Sequence, residues 1–210
     1  MGFFRFPVNF ISIERELENV LPYLKGRVLN AGCGNRDITD FLKKHRVSGL
    51  DNCDIQSAIP GAIMCDLTAI PKQDKYYDSI LCNAVLEHVP YPERVMREFG
   101  RLLKDGGYLV VSVPFLQPYH PTPFDYRRYT REGLIQLAEL TGFKVVQIKS
   151  VHTLAQTLGW LIWANLEERR SILGKLLLWL PIYALSRIFT SGSSELAYSA
   201  NSFQVVMVKN

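Results

Sequence analysis

The sequence has no CxxC pair among its four cysteines, Cys33, Cys53, Cys65 and Cys82, which removes the zinc-ribbon and thioredoxin-type readings. No run of five or more Lys or Arg occurs and the formal net charge is only +4, so nothing marks a nucleic-acid arm and no nucleic-acid partner is expected. A secretory leader pattern is lacking, and Phe6 stands where a myristoylation motif after Met1-Gly2 needs Ser or Thr. These absences lead us to expect reduced thiols and a cytoplasmic protein without a lipid anchor. What remains is ordinary globular material. The 210 residues, 48% hydrophobic and 21% charged, suffice for one domain over 1–210.

An aromatic-rich start (Phe3, Phe4, Phe6, Phe10) leads into Ile13, Leu17, Val20, Leu21 and Leu24 at helical spacing, interrupted near Pro22, so 1–25 reads as an N-terminal helical segment. Short β-rich runs then recur at 27–31, 47–50, 62–64, 79–82 and 108–113. Helical stretches at 37–44 and 92–103 lie among them, the second closed by Asp105-Gly106-Gly107. Thr130 is a good N-cap for a helix running to Gly142, followed by a strand at 143–148 and a last one at 203–208. This alternation predicts an α/β, Rossmann-like doubly wound, mostly parallel seven-stranded sheet. Residues 151–202 exceed any connection such a sheet needs, and read as a helical hydrophobic insertion or lid before the last strand.

Arg27-Val-Leu-Asn-Ala-Gly-Cys-Gly34 is a buried strand running into Gly-x-Gly and then a helix, a place where a backbone without Cβ atoms can approach a ligand. A third glycine of the nicotinamide fingerprint would fall at Asp37, whose charge would repel a pyrophosphate. The dinucleotide reading weakens accordingly. Asp51 lies at the expected end of the second strand, where a carboxylate can accept bonds from ribose hydroxyls, with Asn52 beside it. Asp66, followed by Leu67, is suited to an exocyclic amine, and Asn83 follows the fourth strand. All project from the C-terminal edge of the sheet, where ligands bind in open α/β folds.

This ordered series resembles the class I methyltransferases, particularly the type 11 group that uses S-adenosylmethionine. Val28-Leu-Asn-Ala-Gly-Cys-Gly34 is similar to the family's first motif, Gly49-Leu-Asp51 to its second-strand acid and Cys65-Asp66-Leu67 to its adenine-side acid. The segments 78–89 and 102–110 are similar to its fourth- and fifth-strand motifs. The resemblance implies S-adenosylmethionine as cofactor, held by Asn30, Ala31, Gly32, Cys33, Gly34, Asp51, Asn52, Asp66, Leu67 and Asn83. Two departures stand out: Asn30 replaces the usual Asp or Glu, and Asn35 replaces a common third glycine.

Methyl transfer also needs an acceptor pocket, and the Pro-rich stretch 114–130 is too long for a plain connector. His120 is the preferred general base, with Asp125 as its orienter or an alternative base, and His88 ranks behind it. Tyr126, Arg127 and Arg128 are candidate substrate contacts. An Asp125–Arg128 pair that merely braces the loop is the competing structural role. Metal binding through the cysteines is not expected, since four neighbouring strands spread them too widely to close around one ion. No D/N-P-P-Y motif follows the fourth strand, where Cys82-Asn83-Ala84-Val85 stands, so methylation of adenine in DNA is disfavoured.

Within the insertion, 154–166 with Trp160 and Trp163, and 172–189 with Trp179 and Tyr183, form apolar helices flanked by Arg169, Arg170, Lys175 and Arg187. Lys175, Pro181 and Arg187 interrupt the second, so no transmembrane span is expected. The segment suits a peripheral contact with the inner face of a membrane, a lid, or a homodimer interface. The function expected is O-methylation of a small-molecule or glycan/lipid-linked acceptor. A non-catalytic protein that keeps the fold is the alternative, and a nicotinamide oxidoreductase ranks third.

Overall fold

A computed structural model describes residues 7, 8, 10–188 and 200–210, so Phe3, Phe4, Phe6, the Met1-Gly2 start and Phe189 lie outside the described residues. The described chain forms β1 (Gly26–Ala31), β2 (Val47–Asp54), β3 (Ile63–Met64), β4 (Tyr77–Asn83), β5 (Leu103–Pro114), β6 (Phe143–Val151) and β7 (Ser202–Lys209). They make one sheet in the order β3-β2-β1-β4-β5-β7-β6, parallel except for β7, which runs antiparallel to both β5 and β6. The Rossmann-like architecture expected from the sequence is thus the one observed.

Strand alternation divides the core in two. Leu29, Ala31, Ile80, Cys82, Leu109 and Val111 point to the face covered by α3 (Pro92–Leu102) and α4 (Arg131–Leu140). Val28, Leu81, Val110 and Val206 point to the face covered by α1 (Ile13–Leu17) and α2 (Thr39–Lys43). Helix α3 buries Val95, Met96, Phe99 and Leu102, one stripe of a helix started by Pro92. Thr130 caps α4 by accepting a bond from the Gly133 N–H.

Several boundaries differ from the sequence reading. The N-terminal segment is only a short α1 followed by a 3-10 turn over Leu21–Tyr23, because Pro22 cannot continue an α-helix. Helix α2 spans Thr39–Lys43, starting after an Asx turn in which Asp37 accepts the Thr39 N–H, rather than at the expected 37. The second strand reaches Asp54, past the expected 50, since pairing to β1 and then β3 continues through Cys53 and Asp54. Asp105-Gly106-Gly107 lies in the start of β5, the helix having ended at Leu102. The cysteine expectation is also corrected. Cys53 on β2 and Cys65 just after β3 form a disulfide, their Cα atoms 6.6 Å apart because the two strands are neighbours. Cys33 and Cys82 stay free and buried. Cysteine usage therefore no longer argues for a reducing compartment.

Between β6 and β7 the chain forms α5 (Leu154–Glu168), opened by a Thr153/Gln156 capping box, and α6 (Ile172–Ile188). Gly159 lets the pair close, since a Cβ there would sit 2.8 Å from the Ile182 Cγ2. No helix of the described residues is long and apolar enough to cross a membrane.

The loop from β3 to β4 is held by Arg101 on α3. Its guanidinium bonds the buried Glu98 through two nitrogens, Asp74, and the carbonyls of Ile70 and Lys72, while Glu98 also accepts the Ile70 N–H. Removing the guanidinium leaves a carboxylate with most of its surface buried and unpaired. Allowing for the partial exposure of Arg101, Arg101→Ala should lower unfolding stability by about 2 kcal/mol, read by urea denaturation. Arg101→Lys should recover less than half of it, because an ammonium cannot reproduce the fork.

Candidate active site

The two glycines of the first motif do different work. Gly32 has φ +72°, and a Cβ there would lie 2.2 Å from the Val85 Cγ2, so it makes room for the segment after β4. Gly34, at φ +54°, would meet nothing within 4 Å and faces open space. The loop's amides are tied to β2: the N–H groups of Gly32 and Cys33 donate to the Cys53 carbonyl, and that of Gly34 donates to Asp54 Oδ2 at 2.7 Å. These three amides are therefore engaged within the protein.

The strand extension changes which acid stands at the edge. Asp51 pairs in register with Leu29, inside the ladder. Its carboxylate accepts a bond from the Tyr77 hydroxyl and pairs with Lys72 Nζ, both at 2.8 Å. Burial, and then Asp51 itself, push the Tyr77 phenol far above its ordinary range. Asp54, which the sequence reading passed over, ends β2 beside Gly34, and its carbonyl accepts the Cys65 N–H, which sets it next to Asp66. Asp66 accepts bonds from the Thr68 amide and hydroxyl, while Leu67 is buried.

Asn30 and Asn52 are register partners on β1 and β2, and the Asn30 amide donates to the Asn52 carbonyl oxygen at 2.9 Å, with Thr39 completing the chain. A neutral, buried amide pair thus fills the place where the family's acid would carry charge. Ala31 is buried in the core below the edge. Asn83 ends β4, and Ala84 after it adopts φ +55°, an unusual backbone for a residue with a Cβ.

The acceptor side is built by two loops. His88 directs Nδ1 at the Phe124 carbonyl (2.5 Å) and His120 directs Nδ1 at the Pro118 carbonyl (2.8 Å). Both turn Nε2 toward Glu87 Oε1, at 3.8 and 3.9 Å. Glu87 is 1% exposed and its Oε2 has no hydrogen-bond partner. The carboxylate raises the His120 imidazole above its ordinary pKa, against the effect of burial. Asp125 stands differently from the expected orienter or base. It accepts the His120 backbone N–H and is clasped by both terminal nitrogens of Arg128, while its nearest approach to the His120 ring is 3.7 Å. Arg128 holds the Asp125 carboxyl far below the usual carboxylate range, so it is a poor proton acceptor.

Arg128 also bonds the Gln117 and Pro118 carbonyls, and Arg127 bonds the Pro90 carbonyl, which leaves both engaged within the protein. Tyr126 is exposed beside Phe124. A cavity of about 530 Å3 opens here, lined by Asn83, Glu87, Ser112, Gln117, His152 and Trp160. A larger hollow by Arg131, Phe143 and Asn210 touches none of these groups. Glu87 is not singled out in the sequence: its neighbour His88 is, but nothing in the sequence announces that His120 approaches it.

Strand order, the glycine turn at the C-terminal edge and the acids on adjoining strand ends define a class I S-adenosylmethionine-dependent methyltransferase. The chain belongs to the family described as the methyltransferase domain, whose model matches residues 12–164. A ubiquinone biosynthesis O-methyltransferase of Coxiella burnetii (strain RSA 493 / Nine Mile phase I) is 28% identical over 177 residues, covering 70% of this chain and 74% of that protein. Two solved structures share the fold. The SAM-dependent methyltransferase from Archaeoglobus fulgidus has a TM-score of 0.60 at 18% identity, over 94% of this chain and 93% of that one. The Burkholderia thailandensis 1,6-didemethyltoxoflavin-N1-methyltransferase, solved with S-adenosylhomocysteine bound, has a TM-score of 0.61 at 14% identity, over 94% and 76%.

The site fits the cofactor, since open space above Gly34 and the carboxylates of Asp54 and Asp66 line one edge. Isothermal titration with S-adenosylhomocysteine should show Asp54→Ala weakening binding by about tenfold or more, one lost charged hydrogen bond or two. Asp51→Ala should chiefly lower the melting temperature. Equal loss of affinity in both variants would return the ribose contact to Asp51.

Proposed function

We propose that the protein O-methylates a small or glycan-like hydroxyl acceptor, with a lipid-linked molecule within its reach. The cofactor, which supplies a methyl group on a positively charged sulfur, is proposed to lie along Gly32, Cys33 and Gly34. Asp54 and Asp66 take its ribose and adenine ends, Leu67 flanks the base, and Asn83 faces the methionine end. The observation that carries the reading is that Glu87, which lines the cavity with Asn83, is approached by the imidazoles of His88 and His120, the three donor atoms lying within 4.8 Å of one another. A hydroxyl must lose its proton as it is alkylated, and a carboxylate and two imidazoles are groups that can receive it. Tyr126, at the exposed lip, is proposed to meet the acceptor, while Arg127, Arg128 and Asp125 hold the loop that carries His120. The relative named for O-methyl transfer supports the same chemistry.

The test is transfer of labelled methyl from S-adenosylmethionine to a panel of phenolic and glycosidic hydroxyl acceptors, with the product analysed by mass. The wild type should form an O-methyl product, and His120→Ala should lose 100-fold or more in kcat/KM, the size expected for a removed proton acceptor. One observation favours the non-catalytic reading: Asn30 and Asn52 satisfy each other, where the family places a charge. Firm binding of S-adenosylhomocysteine without transfer to any acceptor would select it.

A membrane contact is also proposed. Helix α6 exposes Leu173, Leu176, Leu177 and Leu180, at i, i+3, i+4 and i+7, on one outward face, with Leu173 at 68% exposure. Trp179 stacks on Tyr183, and Arg187 reaches the Tyr183 hydroxyl, an aromatic and basic group suited to headgroups. Trp160 of α5, the helix that packs against α6, lines the cavity. Co-flotation with vesicles containing anionic phospholipid should recover the wild type and lose Leu173→Glu/Leu177→Glu by tenfold. A dimer in light scattering that this variant splits, with no flotation, would assign the face to self-association instead.

A further inference from the structure

The Glu87 cluster contains more order than proton transfer requires. Three donor atoms, one from each of Glu87, His88 and His120, lie within 4.8 Å of one another. Each imidazole is fixed from behind: its Nδ1 meets a main-chain carbonyl, which accepts an N–H and leaves Nε2 as the donor atom turned to Glu87 Oε1. This is how proteins set the tautomer and aim of metal-ligating histidines. The Nε2 to Oε1 separations of 3.8 and 3.9 Å are too long for hydrogen bonds. They come within about half an ångström of the roughly 3.4 Å between two donors that each sit about 2.1 Å from one ion at a tetrahedral angle.

The charge balance points the same way. Glu87 is 1% exposed and its Oε2 has no partner, so a carboxylate is buried without the hydrogen bonds that usually justify it. The guanidinium of Arg128 is nearby, 3.4 Å from His120 Nδ1, but Asp125 clasps it. A single cation among the three donor atoms would supply the counter-charge that the buried carboxylate lacks.

We propose that Glu87, His88 and His120 hold a divalent first-row transition ion, with zinc best matched to two imidazoles and a carboxylate, beside the cavity that Glu87 lines. The expectation that the chain holds no metal considered the cysteines, which take no part. The purpose of the site, though not its existence, rests on the O-methylation reading. The acceptor oxygen binds the ion, which lowers the hydroxyl pKa, and the proton passes to water in the cavity. The oxygen lone pair then forms the bond to the methyl carbon while the carbon–sulfur bond breaks, its electron pair remaining on sulfur as S-adenosylhomocysteine forms. His120 serves as a ligand in this scheme, and its loss would abolish activity by removing the ion.

The experiment is titration of chelator-stripped full-length protein with Co2+, followed by visible absorption, then displacement by Zn2+. One Co2+ per chain is expected, with ligand-field bands and no thiolate charge-transfer band, since Cys33 and Cys82 lie outside the cluster. His88→Ala and His120→Ala should each weaken binding tenfold or more, the double variant should abolish the bands, and the exposed His45→Ala should leave them unchanged. Circular dichroism checks that the histidine variants fold, which matters more for the buried Glu87→Gln. Equal Co2+ binding by the wild type and the double variant, or none by either, would overturn the metal site and leave a proton-bridged cluster. S-adenosylhomocysteine titrated into the same samples keeps the two readings apart. Cofactor binding without metal sinks the metal site alone, and metal binding without cofactor sinks the methyl-transfer purpose alone.

Discussion

The parallel register of β2, β1, β4 and β5 is the constraint on which the site depends. Ala31 stands opposite Cys53 on one side and Cys82 on the other, so three strands end nearly level and their following loops open onto one edge. Because strand side chains alternate, the same register decides which residues face each layer and which reach the rim. Asp51 bonds Tyr77 and becomes part of a partly buried network, while Asp54, three residues on, emerges beside Gly34. Val85, seated against the hydrogen-only face of Gly32, then fixes the turn that delivers Glu87 and His88.

Charge is managed by local pairing throughout this region. Arg101 pairs with Glu98 along α3, Arg128 with Asp125 within one loop, and Lys72 of a loop with Asp51 of β2, so each charge has its partner within the protein. Such partly exposed pairs contribute little energy singly, but each fixes the course of a connection that has no regular hydrogen bonding of its own. Glu87 is the exception, a buried carboxylate whose partners are two imidazoles at a distance. That exception makes the cluster a functional candidate, where the paired acids are structural ones.

The α5–α6 pair obeys a different economy. It buries Trp163 and Ile182 with Val8 in a cluster of its own, yet leaves a leucine face on α6 in solvent. At roughly 25 cal/mol per Å2, covering even a few such side chains is worth several kcal/mol, which is enough to favour a partner or a lipid surface. Trp160 of the same pair borders the cavity.

Local patterns in the chain were enough to announce the class. Short β-rich runs alternating with helical stripes, a Gly-x-Gly turn and acids after successive strands depend on residues close in sequence, and the seven-stranded sheet and the helical insertion followed from them. Where elements stop was less legible, because strand ends depend on pairing with neighbours: β2 continues to Asp54 only because β1 and β3 are there to bond it. The same distance in sequence hid the Cys53–Cys65 bridge and the approach of His120 to Glu87. Spacing along the chain carries the periodicity of helices and strands, but long-range contact is set by how the layers close, and that closing placed Asp54 at the rim and gathered one carboxylate and two imidazoles around a single point.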